Sequence, residues 1–335
     1  MRNDTERHGI IMNLKTKMEK IIHSSYRNIG GIVVNKGAET VYENYYNECT
    51  ADTTIHVLSV TKSILSILVG IALDQGYIQS TSQKVLDFFP DYQVQHGEKT
   101  IQNITIADML TMTVPYKYKT EPYTTFFSSE DWVKASLDLL GGKGIIGEFR
   151  YAPVIGPDIL SGILVKATGQ SVLAFAKENL FIPLGIPVDT NVTFQNEEEQ
   201  KAFYHAKNVA GWVADPKGVN TAGWGLNLTA MDMAKLGQLY LQGGIWNGKK
   251  LVSTEWIKES TQEHSRCEKW KLAYGYLWWI IDKEEHAYAA MGDGGNTIYV
   301  NEKRNMVVSI ASLFKPNATD RIKLIREYIE PVFDK

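Results

Sequence analysis

The sequence predicts an α+β fold: one antiparallel sheet built from both ends of the chain, flanked by helices, with a helical sub-domain inserted between them. Three observations lead there. β-rich runs cluster near the N-terminus, at 29–34 and 39–46, and again near the C-terminus, at 286–291, 297–300 and 305–313. Apolar residues at helical spacing accompany both groups. The middle of the chain, about 77–234, holds only short helical patterns separated by loops. The simplest assembly is a single domain, 1–335, with an α/β part at about 13–76 and 235–335 and a helical, loop-rich part at about 77–234. A cleft between the two parts is the natural place for a site.

The elements follow in order. Leu14, Met18, Ile21, Ile22 and Tyr26 are spaced as one face of a helix over 13–27. The two β-rich runs after it flank Asn35-Lys36-Gly37 and read as a hairpin. A long apolar helix begins around Ser59 and stops near Gly76. Thr105 opens a short helix, and Ser128-Ser129-Glu130-Asp131-Trp132 reads as a capped start of another. Helices are expected over 158–169, closed by Gly169, and over 171–180. From Thr229, the residues Met231, Ala234, Leu236, Leu239 and Leu241 form a helical pattern ended by Gly243-Gly244. A last helix, 320–329, carries Ile322, Ile325 and Ile329.

With 335 residues, 44% of them hydrophobic, the chain can bury a sizeable core. A net charge of −3, and no Lys/Arg cluster alternating with aromatics, argue against a nucleic-acid partner. The longest apolar stretch, 64–73, is too short to span a bilayer. The opening residues Met1 to His8 lack the apolar core of a signal peptide, and the two cysteines, Cys49 and Cys267, read as reduced thiols, so a cytoplasmic location is expected. The seven histidines are scattered and make no metal pattern with the cysteines, so no metal and no cofactor is expected.

The chemistry concentrates in Ser59-Val60-Thr61-Lys62. Three residues is close to one helical turn, so both side chains face the same way. A serine at a helix start lies beside unpaired N–H groups and the positive end of the dipole. A lysine can take its proton only if burial or nearby positive charge lowers the lysine's own pKa. The spacing is short enough to recur by chance: Ser312-Leu313-Phe314-Lys315 has it too, and reads as a strand end. The sequence contains no Gly-x-Ser-x-Gly, which argues against an α/β-hydrolase elbow. His56, one turn ahead of Ser59, reads as a packed residue at a strand end.

Taken together with what surrounds it, this motif resembles that of the penicillin-recognising serine hydrolases. That family includes class C β-lactamases, DD-peptidases, family VIII-type esterases and 6-aminohexanoate-dimer hydrolases, and its fold is β-lactamase/transpeptidase-like. The resemblance runs over about 25–330. It is carried by Ser59-Val60-Thr61-Lys62-Ser63, the segment 104–113, Gly147-Glu148-Phe149-Arg150-Tyr151, the stretch from Thr168-Gly169 to Pro183-Leu184-Gly185-Ile186, and the segments 222–234 and 274–279. The last two are most similar to the nylon-hydrolase and esterase branch. The resemblance implies that Ser59 is acylated, that Lys62 helps remove its proton, and that Tyr151 shuttles a proton to the leaving group. Tyr151 would serve as a base only if held as phenolate, for which Lys62 could supply the charge. The third motif of the family would lie in Gly292-Asp293-Gly294-Gly295-Asn296, with Gly294 and Gly295 at a strand edge and the N–H groups of Asn296 and Ser59 forming an oxyanion hole. Trp224, Trp278, Trp279, Tyr116 and Tyr118 are candidates to line an apolar pocket or to pack in the core.

Two departures from the family pattern bear on substrate. The tyrosine motif reads Tyr151-Ala152-Pro153, where a polar third residue is usual, and Asp293 stands where the family has Lys or His. An ionised Asp293 repels the carboxylate that β-lactams and D-Ala-D-Ala peptides carry. The expected function is therefore a serine hydrolase of small esters or amides rather than an efficient β-lactamase. A β-lactamase or DD-peptidase, and a catalytically weak binding or sensor protein of the same fold, are the competing readings.

Overall fold

The structure, a computed structural model, describes residues 2–334. Its centre is an eight-stranded antiparallel sheet. The strands are β1 (Ile29–Lys36), β2 (Glu39–Tyr45), β3 (Ser265–Cys267), β4 (Leu272–Tyr274), β5 (Trp279–Asp282), β6 (Ala287–Gly292), β7 (Asn296–Asn301) and β8 (Met306–Ser312), in the spatial order β2-β1-β8-β7-β6-β5-β4-β3. The two ends of the chain meet at the β1–β8 pair, where Ile32 faces Ile310 and Val34 faces Val308.

Strands β1, β7 and β8 are buried along nearly their whole length, because helices cover both faces of the sheet. Alternate residues go to opposite sides. Ile32, Val34, Tyr299 and Val308 pack with Met18, Ile22 and Tyr26 of the N-terminal helix α1 (Arg2–Ser25) and with the C-terminal helical segment 321–333. Val33, Ile298, Val300 and Val307 face the other layer, made by α2 (Val60–Asp74) and a later helix, α4 (Ala230–Leu241). Every residue of α2 from Val60 to Ala72 is buried, which fits a largely apolar helix wedged between layers. On its far side it meets α3 (Asp158–Thr168), the main helix of the inserted part.

The start signals act as caps. Thr105, Asp131, Ser171 and Thr229 each accept a backbone N–H of their helix's first turn, and Thr229 forms a reciprocal box with Asp232. Gly169 closes α3 with a left-handed φ of 70°. The N-terminal helix begins earlier than the apolar spacing indicated, and the C-terminal helical segment runs on to Phe333. Strands β3, β4 and β5 were not expected. They are three or four residues long, too short for an alternation to show. Cys49 and Cys267 are both buried and unbonded to each other.

Candidate active site

Ser59 stands at the start of α2, and its placement begins four residues earlier, at Ile55. Ile55 and His56 pair with Leu228 and Asn227 as a two-residue ladder, which delivers the chain to the helix. Leu58 then adopts φ +50°, a left-handed conformation unusual for a branched side chain, and Ser59 follows at φ −68°, ψ −4°. The Val60, Thr61 and Lys62 N–H groups bond back to the carbonyls of Val57, Leu58 and Ser59. The Ser59 N–H itself has no partner among the described residues.

Lys62 is 1% exposed. Its Nζ lies 2.8 Å from Ser59 Oγ, 2.7 Å from the Pro153 carbonyl and 2.8 Å from the Gly223 carbonyl. This set of partners is informative. A neutral amine has two N–H bonds, and the two carbonyls accept both, leaving the lone pair toward the serine hydroxyl. Burial brings the Lys62 pKa down from 10.5 to about 7, against the opposing pull of Glu121, Asp158 and Asp293. The amine form is thus well populated at neutral pH. Gly223 is required for the arrangement: a Cβ there would lie 2.8 Å from the Pro153 carbonyl oxygen, the other partner of Lys62.

Tyr151 is half-buried, with Lys62 Nζ 5.1 Å from its ring centroid and Trp279 packed against it at 5.6 Å. Burial pushes its pKa up to about 12, Ser59 pulls the other way, and Asp293 and Glu121 add to the rise. Burial and the Asp293 and Glu121 carboxyls thus favour the phenol over a phenolate held by Lys62. Lysine and tyrosine are pushed in opposite directions, as suits a base and an acid.

The glycine-rich stretch after β6 is corrected. Gly294 (φ 76°) and Gly295 (φ 96°) make a turn whose inner side faces Phe314, Lys315 and Arg321, away from Ser59. Asn296 is 0% exposed: its amide donates to the carbonyls of Asp293 and His56, and its Oδ1 accepts the Ser312 N–H. It braces the turn and does not face the cleft. The close approach is made instead by Gly292, where a Cβ would lie 2.2 Å from the Val57 carbonyl oxygen and 3.2 Å from the N atoms of Ser59 and Val60. The next residue, Asp293, lines the cleft with Ser59.

That cleft has a volume of about 880 Å³, with Tyr123, Phe127, Tyr204, Trp224 and Phe314 in its walls. Trp224 is 2% exposed and stacks on Tyr204 at 5.7 Å. Of the other aromatic candidates, Trp278 is core, packed on Tyr240 and Tyr288, while Tyr116 and Tyr118 stack on each other with the Arg150 guanidinium over both rings. His56 packs among Phe203, Tyr204 and Trp224, and its Nε2 accepts the Gly225 N–H. Burial lowers its pKa to about 3, so it stays neutral. Leu58, Gly292 and Asp158 escaped the sequence reading. A left-handed leucine carries no sequence signal, Gly292 was one glycine among three, and Asp158 passed as the first residue of a helix.

Comparison with known proteins gives the family and the fold. The sequence model of the family described as Beta-lactamase matches residues 15–330. The chain is 23% identical over 297 residues to the 6-aminohexanoate-dimer hydrolase of Paenarthrobacter ureafaciens, covering 82% of this chain and 70% of that one. Among solved structures it is similar to a family VIII carboxylesterase, with a TM-score of 0.71, 16% identity and coverage of 96% and 97% of the two chains. It is also similar to a penicillin-binding protein homolog from Caulobacter crescentus, with a TM-score of 0.72, 18% identity and 92% of each chain covered.

Proposed function

The chain belongs to the Beta-lactamase family of serine hydrolases, and on that premise we propose that it cleaves small neutral or cationic esters or amides through an acyl-enzyme on Ser59. The observation that carries the reading is the Lys62 amine, buried, with its two N–H bonds engaged by carbonyls and Ser59 Oγ at 2.8 Å. Lys62 takes the Ser59 proton as Oγ attacks the substrate carbonyl. The Ser59 and Asp293 N–H groups receive the oxyanion, since Gly292 brings its strand end against the serine turn. Tyr151 gives its proton to the leaving group and is reprotonated by the Lys62 ammonium. Water then enters and the same groups run in reverse to release the acid. No catalytic metal or cofactor has a part in this scheme.

The substrate class follows from charge. The three charged groups that act on Lys62 are Glu121, Asp158 and Asp293, all acidic. Asp293 lines the cleft beside Ser59, so a substrate carboxylate seated against it meets like charge, whereas a neutral or ammonium-bearing group does not, and the aromatic walls accept either. The test is kcat/KM for nitrocefin against a short-chain p-nitrophenyl ester. The ester is expected to be preferred; a strong preference for nitrocefin would instead identify a β-lactamase.

The same geometry sets a pH profile. The base must be neutral, and its pKa is depressed to about 7, so kcat/KM for the ester falls as pH drops below about 7 and is level above it. The Tyr151 phenol, pushed up to about 12, keeps its proton across that plateau. A rate that stays level well below pH 7 would show that Lys62 is not the base, and an acid limb centred near 10.5, the usual lysine value, would show that its pKa is not lowered.

A further inference from the structure

Asp158 is a buried carboxyl with no part in the scheme above, yet its contacts lead to the base. It is 2% exposed at the first position of α3. Its Oδ1 accepts the Ala222 N–H at 2.7 Å. Oδ2 makes no hydrogen bond of good geometry, although the Gly223 N–H lies close enough to stabilise the charged form. The next atoms along the chain are those of the Gly223 carbonyl, which accepts from Lys62 Nζ at 2.8 Å. A carboxyl, a two-residue turn and the lysine amine thus form one connected chain. The 222–223 turn has little other freedom, because Gly223 is pressed against the Pro153 and Val154 carbonyls.

We propose that Asp158 is the positioning residue for Lys62: its carboxyl pins the 222–223 turn so that the Gly223 carbonyl aims the amine at Ser59. The Asp158 carboxylate also acts on Lys62 through its charge, which raises the lysine pKa. This rests on the hydrolase reading for its consequence in catalysis, but not for the coupling itself. The charged groups that bear on the pair are few. Lys62 feels Glu121 and Asp293 besides Asp158, and Asp158 feels Asp215 besides Lys62. Burial raises the Asp158 pKa to about 7, close to that of Lys62, so the two groups exchange charge in the same pH range. Buried carboxyls at helix starts often serve stability alone. A purely structural role would leave the Lys62 titration where it is.

The test uses the full chain labelled with 13C at the lysine Cε, the Lys62 signal being the one missing from Lys62→Met. In Asp158→Asn the Ala222 N–H keeps an acceptor while the charge is gone, and the Lys62 midpoint is expected to move to lower pH by about half a unit or more. The acid limb of kcat/KM moves with it. In Asp158→Ala the acceptor is lost too, and kcat is expected to fall by about tenfold or more with KM within about twofold. A Lys62 midpoint that is the same in wild type and Asp158→Asn overturns the proposal, as does an unchanged kcat in folded Asp158→Ala. Should Asp158→Ala not fold, the Asp158→Asn titration decides. Should the wild type turn over no ester, the hydrolase reading fails, while the titration still tests the coupling.

Discussion

Replacing Lys62 with methionine is expected to lower kcat/KM for a p-nitrophenyl ester by about 10²–10⁴-fold, the range a positioned general base contributes. Methionine fills much of the same volume and leaves Ser59, its helix and its N–H in place, so the loss reads the proton transfer itself. The protein is expected to remain folded. Methionine leaves the Pro153 and Gly223 carbonyls without their amine donor, which costs stability, but it also removes a buried group whose charged form is disfavoured, and the two effects oppose one another. Circular dichroism at pH 7 checks the fold and steady-state kinetics the rate. An unchanged kcat/KM would mean that Ser59 finds its base elsewhere or is not the nucleophile.

Gly292→Ala is the second large effect. The added methyl carbon would lie 2.2 Å from the Val57 carbonyl oxygen, well inside contact distance. The φ of −121° suits alanine, so the backbone conformation is not the problem. Backbone stands on both sides of the clash, so no side chain can turn away to relieve it. The end of β6 must move back from the serine turn, carrying Asp293 with it. A displacement on the order of 1 Å at reacting groups costs about 10²-fold in rate. The expected result is a fall of that size in kcat with a smaller change in KM, accompanied by about 1–3 kcal/mol of lost stability from overpacking. Stability follows from urea unfolding. Full activity in Gly292→Ala would remove Asp293 from the oxyanion site.

Much of this was legible from the residues. Ser59 and Lys62 are read from their spacing, because a helix places residues three apart on one side. The hairpin at Asn35-Lys36-Gly37 and the caps Thr105, Ser171 and Thr229 were legible for the same kind of reason: their chemistry is local. What escaped is non-local. Strands β3 to β5 are too short to declare themselves: β3 pairs with β4, β4 with β5 and β5 with β6, so they hold as strands only as an extension of the sheet that β6 joins. Asn296 and Gly292 are four residues apart in one glycine-rich stretch, and the two are cross-strand partners where the chain turns from β6 into β7. Which of them touches Ser59 depends on which side of that turn faces α2, and the sequence holds no mark of it. The lowered lysine and raised tyrosine pKa values are likewise products of burial, which only the assembled layers supply.

The central claim is that Ser59 is an activated nucleophile. Treating the folded protein with a fluorophosphonate probe and mapping the adduct by mass spectrometry tests it most directly. The account predicts a single stoichiometric label on Ser59, formed faster as pH rises through about 7 and strongly slowed in Lys62→Met. A folded protein that stays unlabelled, or one labelled on another residue with Ser59 untouched, would contradict it.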